Sequence, residues 1–235
     1  MYEAIYAAPV GESTVARMAA TAAAYGFDGV IVRDRPDDPA DYKPERIRER
    51  FGIDVVDGIE IDVTDPSRAS GYVGNYRPKT TIVCVRGGSP AMNRFAVHQA
   101  QVDVLTGPLA GTGGIDDALA KAAADNGVRI EIDLTPILRG SGGSRVEAIR
   151  LRRTLVTLLD HYDVPFVASA APTAHLQLRA PRELAAVGDA IGLESVSIED
   201  GLAEWGRLAA RNRDRRSESF IGPGIKRGRH EEVDR

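Results

Sequence analysis

The stretch Ile115-Asp116-Asp117-Ala118-Leu119-Ala120-Lys121-Ala122-Ala123-Ala124-Asp125-Asn126-Gly127-Val128-Arg129-Ile130-Glu131-Ile132-Asp133-Leu134 decides how the chain folds. Its first twelve residues read as a helix. Asp116 and Asp117 sit in the first turn, where carboxylates complement the helix dipole, and Asn126-Gly127 is a C-cap signal. The next seven alternate strictly. Val128, Ile130, Ile132 and Leu134 share one side, and Arg129, Glu131 and Asp133 share the other, which is the period of a strand. On this reading the apolar side faces helices and the charged side points inward.

The same unit repeats in both directions. Strands are predicted over Tyr2–Ala7, Gly29–Arg33, Val55–Val63, Thr81–Arg86, Val102–Leu105, Val128–Leu134 and Pro165–Ser169, with a weaker eighth over Ser195–Ile198. Helices are predicted over Ser13–Tyr25, Ile115–Asn126, a stretch from a Ser144–Glu147 capping box to about Tyr162, and Pro181–Ile191; a last one opens at Ser197–Asp200 and carries Leu202, Trp205, Leu208 and Ala209. Alternating strand and helix implies a parallel sheet with helices outside. Seven or eight units predict an α/β fold, a (β/α) TIM-like barrel spanning 1–210. An open doubly wound sheet is the rival, disfavoured because no Gly-x-Gly-x-x-Gly turn follows the first strand. Apolar periodicity ends near residue 211, so 211–235 reads as a basic, disordered tail whose removal after Ala210 should leave the melting temperature nearly unchanged.

The 235 residues carry a net charge of −4, with 30 basic side chains of which only Lys43, Lys79, Lys121 and Lys226 are lysine. This arginine bias fits either a GC-rich coding sequence or a salt-adapted lineage. The last 25 residues hold 8 basic and 5 acidic side chains, leaving the remainder at −7. An acidic body does not attract polyanions at long range, so any phosphate site must be a local arginine patch. Cys84 is the single cysteine, which excludes an internal disulfide and a cysteine-cluster metal site and makes a reducing cytoplasm the expected location. No run approaches the ~20 apolar residues of a membrane span, and the N-terminus lacks a basic-then-apolar signal pattern.

Barrel chemistry sits where strands end. There the sequence offers Arg33-Asp34, Glu60 with Asp62, Arg86, Asp103, Glu131 with Asp133, and Ser169. Glu60, Asp62, Glu131 and Asp133 opposite Arg33 and Arg86 are consistent with a metal-dependent phosphoesterase, or with an ion-paired network inside the barrel. None of His98, His161, His175 and His230 lies on a strand end, and only His175 is placed to reach the mouth, which argues against a histidine metal centre or a triad. The loop Gly140-Ser141-Gly142-Gly143-Ser144 before a helix is a candidate phosphate cradle for a small-molecule barrel enzyme. Arginines cluster at Arg139, Arg145, Arg150, Arg152 and Arg153, at Arg179 and Arg182, and at Arg94. Guanidinium forks match phosphate oxygens in pairs, so these clusters read as a nucleic-acid backbone site or as a solvated helix face.

These stretches carry a resemblance. Gly58-Ile59-Glu60-Ile61, Asn93-Arg94 with Ala96, Val102-Asp103 with Leu105 and Pro108, and Ala122-Ala123 with Asn126, Val128 and Ile130-Glu131-Ile132 occur in order. Arg145 follows, then Tyr162-Asp163-Val164-Pro165, Ser169 with Ala171, and Leu178-Arg179-Ala180-Pro181-Arg182-Glu183-Leu184. Together they resemble the archaeal ribonuclease P protein component 3 family, related to a subunit of eukaryotic nuclear ribonuclease P and MRP. The resemblance runs from about residue 55 to 192; residues 1–50 rest on pattern alone. It implies a barrel related to the polymerase-and-histidinol-phosphatase hydrolases without their metal-binding histidines. It also implies a noncatalytic subunit of the ribonucleoprotein that removes the 5′ leader of precursor tRNA. The chain would bind no cofactor, magnesium would serve the RNA component, and the partners would be ribonuclease P RNA, precursor tRNA through the complex and another small protein subunit. Arg94, Arg145 and Arg179 lie inside the matching stretches, with Arg86 and Arg139 beside them, so these five are the candidate RNA contacts.

Overall fold

Seven short strands, most of them rich in β-branched residues, form one parallel sheet, and helices cover its outer face. The computed structural model describes residues 1–190, 192–193 and 197–217, with the backbone of Phe220–Gly222 and Ile225–Lys226. In chain order the elements are β1 Tyr2–Ile5, α1 Val15–Ala24, β2 Gly29–Asp34, α2 Pro44–Phe51, β3 Asp54–Ile61, α3 Pro66–Tyr76, β4 Ile82–Arg86, α4 Pro90–Val97 and β5 Val104–Thr106. Then follow α5 Asp117–Asn126, β6 Arg129–Asp133, α6 Thr135–Arg139, α7 Gly142–His161, β7 Phe166–Ser169, a 3-10 turn at His175–Gln177, α8 Pro181–Ala190 and α9 Ile198–Arg215. The strands pair in sequence order from β1 to β7, all parallel. All seven predicted strands are present, most of them a residue or two shorter than their apolar runs. The helices α2, α3, α4 and α6, absent from the predicted set, each place proline in the first turn, where a missing amide hydrogen costs nothing.

Two apolar layers follow from the alternation. Val30, Val32, Ile59, Val83, Val85, Leu105, Ile130 and Ile132 pack outward under the helices. Ala4, Ile31, Val56, Ile82, Cys84, Val104 and Val167 fill the barrel, with Trp205, Leu208 and Ala209 of α9 among them. β1 and β7 do not pair, so the barrel stays open along one seam. Helix α9 packs along that seam in place of an eighth strand and continues under the N-terminal strand ends. Trp205 Nε1 donates to the Ala168 carbonyl of edge strand β7 at 3.0 Å. Close approach requires glycine twice: a Cβ on Gly201 would come 2.8 Å from the Ala168 nitrogen, and one on Gly206 2.7 Å from the Tyr2 ring.

Several expectations are corrected here. Ile198 opens α9 instead of ending an eighth strand, and residues 194–196 lie outside the described residues, as does Ile191. α7 begins at Gly142, so Ser144 is inside it: its hydroxyl donates to the Ser141 carbonyl at 2.7 Å, and no capping box forms. Most consequential is the boundary at 210. α9 runs on to Arg215, with Asn212 buried: its amide donates to the Thr81 carbonyl at 2.8 Å and to Asp103 Oδ1 at 2.9 Å. Periodicity ends at Ala210 because α9 there meets polar strand ends instead of core. Phe220–Gly222 and Ile225–Lys226 pair antiparallel as backbone; the other tail residues beyond 217 lie outside the description.

Candidate functional site

The C-terminal strand ends bring one cation into the barrel and surround it with carboxylates. Arg33, the next to last residue of β2, is almost fully buried and sits with its guanidinium carbon 5.2 Å from both the Tyr6 and Trp205 ring centroids. It forms an ion pair with Glu131 of β6, and its Nη1 donates to the Tyr6 hydroxyl at 3.1 Å. Glu60 of β3 accepts from the Tyr6 hydroxyl at 2.8 and 2.9 Å and from Thr106 Oγ1 at 2.5 Å, with Arg35 3.4 Å away. Arg35 also pairs with Asp62, and Arg86 lies 4.0 Å from Glu60 and 3.9 Å from Asp62. The Gly107 amide donates to Glu131 at 3.0 Å. Burial pushes the Glu131 carboxyl up, and the Arg33 charge pulls it back; burial likewise pushes the Tyr6 phenol up, so Tyr6 remains a donor. Three guanidiniums thus face three carboxylates. Asp133 is also engaged, accepting from the Thr135 amide at 2.8 Å while its carbonyl takes Arg152 Nε at 2.5 Å.

This is the ion-paired alternative of the sequence reading. The carboxylates Glu60, Asp62, Glu131 and Asp133 are occupied by arginine, amide or hydroxyl donors, and a divalent ion placed among them would meet guanidinium cations. The donor set does not fit a metal centre. Among the described residues no group of three or more His, Cys, Asp or Glu is placed to hold a metal ion. Arg35 and Thr106, which complete the network, went unread in the sequence; Arg35 follows Arg33 at i+2, a spacing that would have flagged it. Asp103 and Arg129 are corrected: both lie at the N-terminal strand ends, where Arg129 pairs with Glu204 of α9 at 2.7 Å. His175 does not enter the mouth; its Nδ1 sits 2.9 Å from Ser13 Oγ and ties two loops together.

Another buried carboxyl spans the seam. Glu3 accepts from the Ala4 amide at 3.0 Å, Ser169 Oγ at 2.5 Å and the Ala170 amide at 3.2 Å. Burial raises it from 4.5 to about 7, against the opposing pull of those donors. A carboxyl raised in the folded state holds its proton while the unfolded chain has released it. Its contribution is therefore fully present below about pH 4.5 and is lost as pH rises to about 7. Glu3→Gln should flatten that slope, the two proteins diverging by about 3 kcal/mol across the window at 1.36 kcal/mol per unit. Denaturation at pH 5, 6, 7 and 8 reads it; parallel profiles would remove Glu3 as the cause.

The five candidate arginines separate. Arg86 is engaged in the mouth, beside a cavity of about 290 Å³ that Glu131, Asp133 and Arg152 also line. Arg94 lies in the last turn of α4, not at a helix start, and is exposed on that helix's outer side near Phe95 and His98. Arg139, Arg145 and Arg179 gather on the rim formed by the loops after β6 and β7. Arg139 ends α6 and donates to the Ala170 carbonyl at 3.2 Å. Arg179 donates to the Leu176 and Leu178 carbonyls at 3.1 and 2.7 Å and lies close enough to lower the Arg139 pKa by like charge, burial being the larger cause. Arg145 occupies the first turn of α7 beside Gly140. All three are exposed, and among the described residues none forms an ion pair.

Comparison with known proteins places this geometry. The family model described as RNase P subunit p30 matches residues 1–217, including the first two β/α units that the quoted stretches left uncovered. "Ribonuclease P protein component 3" of Haloarcula marismortui is 52% identical over 226 residues, covering 96% of each chain. The protein of the same name from Methanosarcina mazei is 32% identical over 200 residues, 85% of this chain and 83% of that one. In fold, the chain superposes on a chain of a cryo-EM structure of archaeal ribonuclease P with mature tRNA, with TM-score 0.80 and 20% identity over 99% of this chain and all of that one. It also matches a histidinol phosphate phosphatase from Lactococcus lactis, solved with zinc, histidinol and phosphate, with TM-score 0.52 and 12% identity over 81% and 93%. The fold is thus shared with that phosphatase while the mouth carboxylates are held by arginine, and the chain belongs to the RNase P subunit p30 family.

Proposed function

We propose that this chain is the p30-type protein subunit of ribonuclease P, the ribonucleoprotein that removes the 5′ leader of precursor tRNA, and that it binds and orders the RNA while the RNA and its magnesium ions carry the chemistry. The observation that supports this most directly is the division of charge at the mouth. Inside, arginine and carboxylate cancel; outside, Arg139, Arg145 and Arg179 leave their charge to solvent on one rim. Forked cations suit phosphate oxygens, and Arg145 stands in the first turn of α7, whose N-cap makes no side-chain hydrogen bond. Another small protein subunit shares the complex. The same reading puts the chain in the cytoplasm, where buried Cys84 stays a thiol. Arg94 and Arg86 take no part in the rim: the first faces another way, and the second stands inside the mouth, 4.0 Å from Glu60 and 3.9 Å from Asp62.

Arg→Ala at 139, 145 and 179 should each weaken assembly with ribonuclease P RNA by about 1–3 kcal/mol, in the range for a hydrogen bond to a charged group. The dependence of log affinity on log salt should flatten by about 0.7–0.9 per contact removed. Arg→Lys should rescue in part, because lysine keeps the charge and loses the fork. Melting and RNA binding are measured on the same variants: lost stability with unchanged affinity would overturn the assignment.

A further inference from the structure

The opposite end of the barrel carries a second concentration of arginine. Arg77, at the C-cap of α3, and Arg211, Arg215 and Arg216, along and just after the last turn of α9, line a cavity of about 170 Å³ with Gln101, Asp103 and Asn212. Four guanidiniums here meet one lining carboxylate. That carboxylate, Asp103, is saturated. Its Oδ1 takes Arg211 Nη2 and Asn212 Nδ2, both at 2.9 Å, and its Oδ2 takes Arg77 Nη1 at 2.5 Å and the Val83 amide at 2.9 Å. Arg216 reaches out to Asp57 at 3.7 Å. Arg215 is exposed and forms no ion pair among the described residues. The like charges are felt: Arg211 is held below its ordinary value by burial first, then by Arg129, with Arg215 and Arg77 adding to it.

The mouth and this end therefore differ in kind. At the mouth, cation and carboxylate balance in a closed network. Here four guanidiniums meet Asp103 in the lining and Asp57 beyond it, which leaves two positive charges unbalanced, inside a body that is acidic elsewhere: residues 211–235 hold 8 basic and 5 acidic side chains, while the rest of the chain sums to −7. Arg77 also donates to the Thr80 and Thr81 carbonyls and Arg216 to the Lys79 carbonyl, so these forks are fixed in place and the open one is Arg215. A concave site with fixed excess positive charge and one open fork suits an anion with several oxygens, and a phosphodiester presents two unshared ones to a guanidinium. We propose that the cavity between Arg77, Arg211, Arg215 and Arg216 is a second RNA-phosphate site. The chain then grips two backbone segments of one RNA, at the rim and at the N-terminal end of the barrel. This rests on the RNA-binding role proposed above. Strands of about five residues at about 3.3 Å each separate the two ends by roughly 15–20 Å, so no single phosphate serves both.

Arg215 is the residue to test, because it is exposed and, among the described residues, forms no ion pair whose loss would unfold α9. In the full chain, Arg215→Ala should weaken binding to ribonuclease P RNA roughly tenfold, and Arg215→Glu should weaken it further, both with unchanged melting temperature. The slope of log affinity against log salt should fall by about 0.7–0.9 for Arg215→Ala, and Arg215→Lys should retain most of it. Wild-type affinity and slope in Arg215→Glu would overturn the inference. The rim variant Arg139→Ala/Arg145→Ala/Arg179→Ala is measured in parallel. Loss in the rim variant alone overturns the second site and leaves the RNA-binding role standing; loss in Arg215→Glu alone supports the second site and overturns the rim assignment. Weaker capture of the other small protein subunit by Arg215→Glu, at unchanged RNA affinity, makes this end a protein contact and overturns the inference.

Discussion

Arg33→Met destabilises the fold by about 3–5 kcal/mol, the cost of removing one partner from a buried ion pair. Methionine fills much of the volume between Tyr6 and Trp205, so the loss is electrical. Glu131 is left with the Gly107 amide as its remaining donor, and Glu60 loses the buried cation 3.9 Å from it. The Glu131 carboxyl, already raised by burial, is then pushed further up, and its protonated form is favoured in the folded state. A raised carboxyl loses stability as pH rises, so the variant gains on acidification relative to the parent protein. Denaturation at pH 5 and pH 8 should show a smaller deficit at pH 5, and Arg33→Met/Glu131→Gln should recover part of it at pH 8. A deficit below about 1 kcal/mol at both pH values would mean that water reaches the network and the barrel interior is not dry.

The second large effect is at the C-terminus. Truncation after Ala210 removes Asn212 with its two buried hydrogen bonds, the Arg211 contact to Asp103 and the Arg213 pair with Asp54 at 2.6 Å. Asp103 keeps Arg77 and the Val83 amide but loses two of its four donors. Leaving such groups unmatched costs about 1–3 kcal/mol each. At about 2–4 °C per kcal/mol for a domain of this size, the melting temperature should fall by roughly 10 °C. Truncation after Ser217, where the family match also ends, should leave it within about 2 °C. Equal melting temperatures for the two truncations would show that the last turn of α9 contributes nothing, and would restore the boundary at 210 that apolar periodicity suggests.

The helix-then-strand register of 115–134 was legible because each period has one physical cause. Burial of one helical stripe demands 3.6, and a pleated strand between two environments demands 2. From these the parallel barrel followed, as did the helix opened by Ser197, whose hydroxyl caps α9 by accepting from the Asp200 amide at 3.2 Å. The arginine-rich character of the loops was equally plain. What periodicity could not say is where a polar residue goes when its element leaves the core. Asn212 and Arg211 look like tail because they lie past the last apolar residue, yet they are buried or half-buried against Thr81 and Asp103, more than 100 positions away in sequence. Charge state was hidden for the same reason. Glu60, Asp62 and Glu131 are equally compatible with metal ligation and with ion pairing until Arg33, Arg35 and Arg86 arrive from the ends of two other strands, β2 and β4. Composition and spacing determined a barrel with arginines on its loops. Tertiary structure alone decided which arginines are spent on carboxylates and which, among the described residues, form no ion pair, because that depends on distances between strand ends that no local stretch encodes.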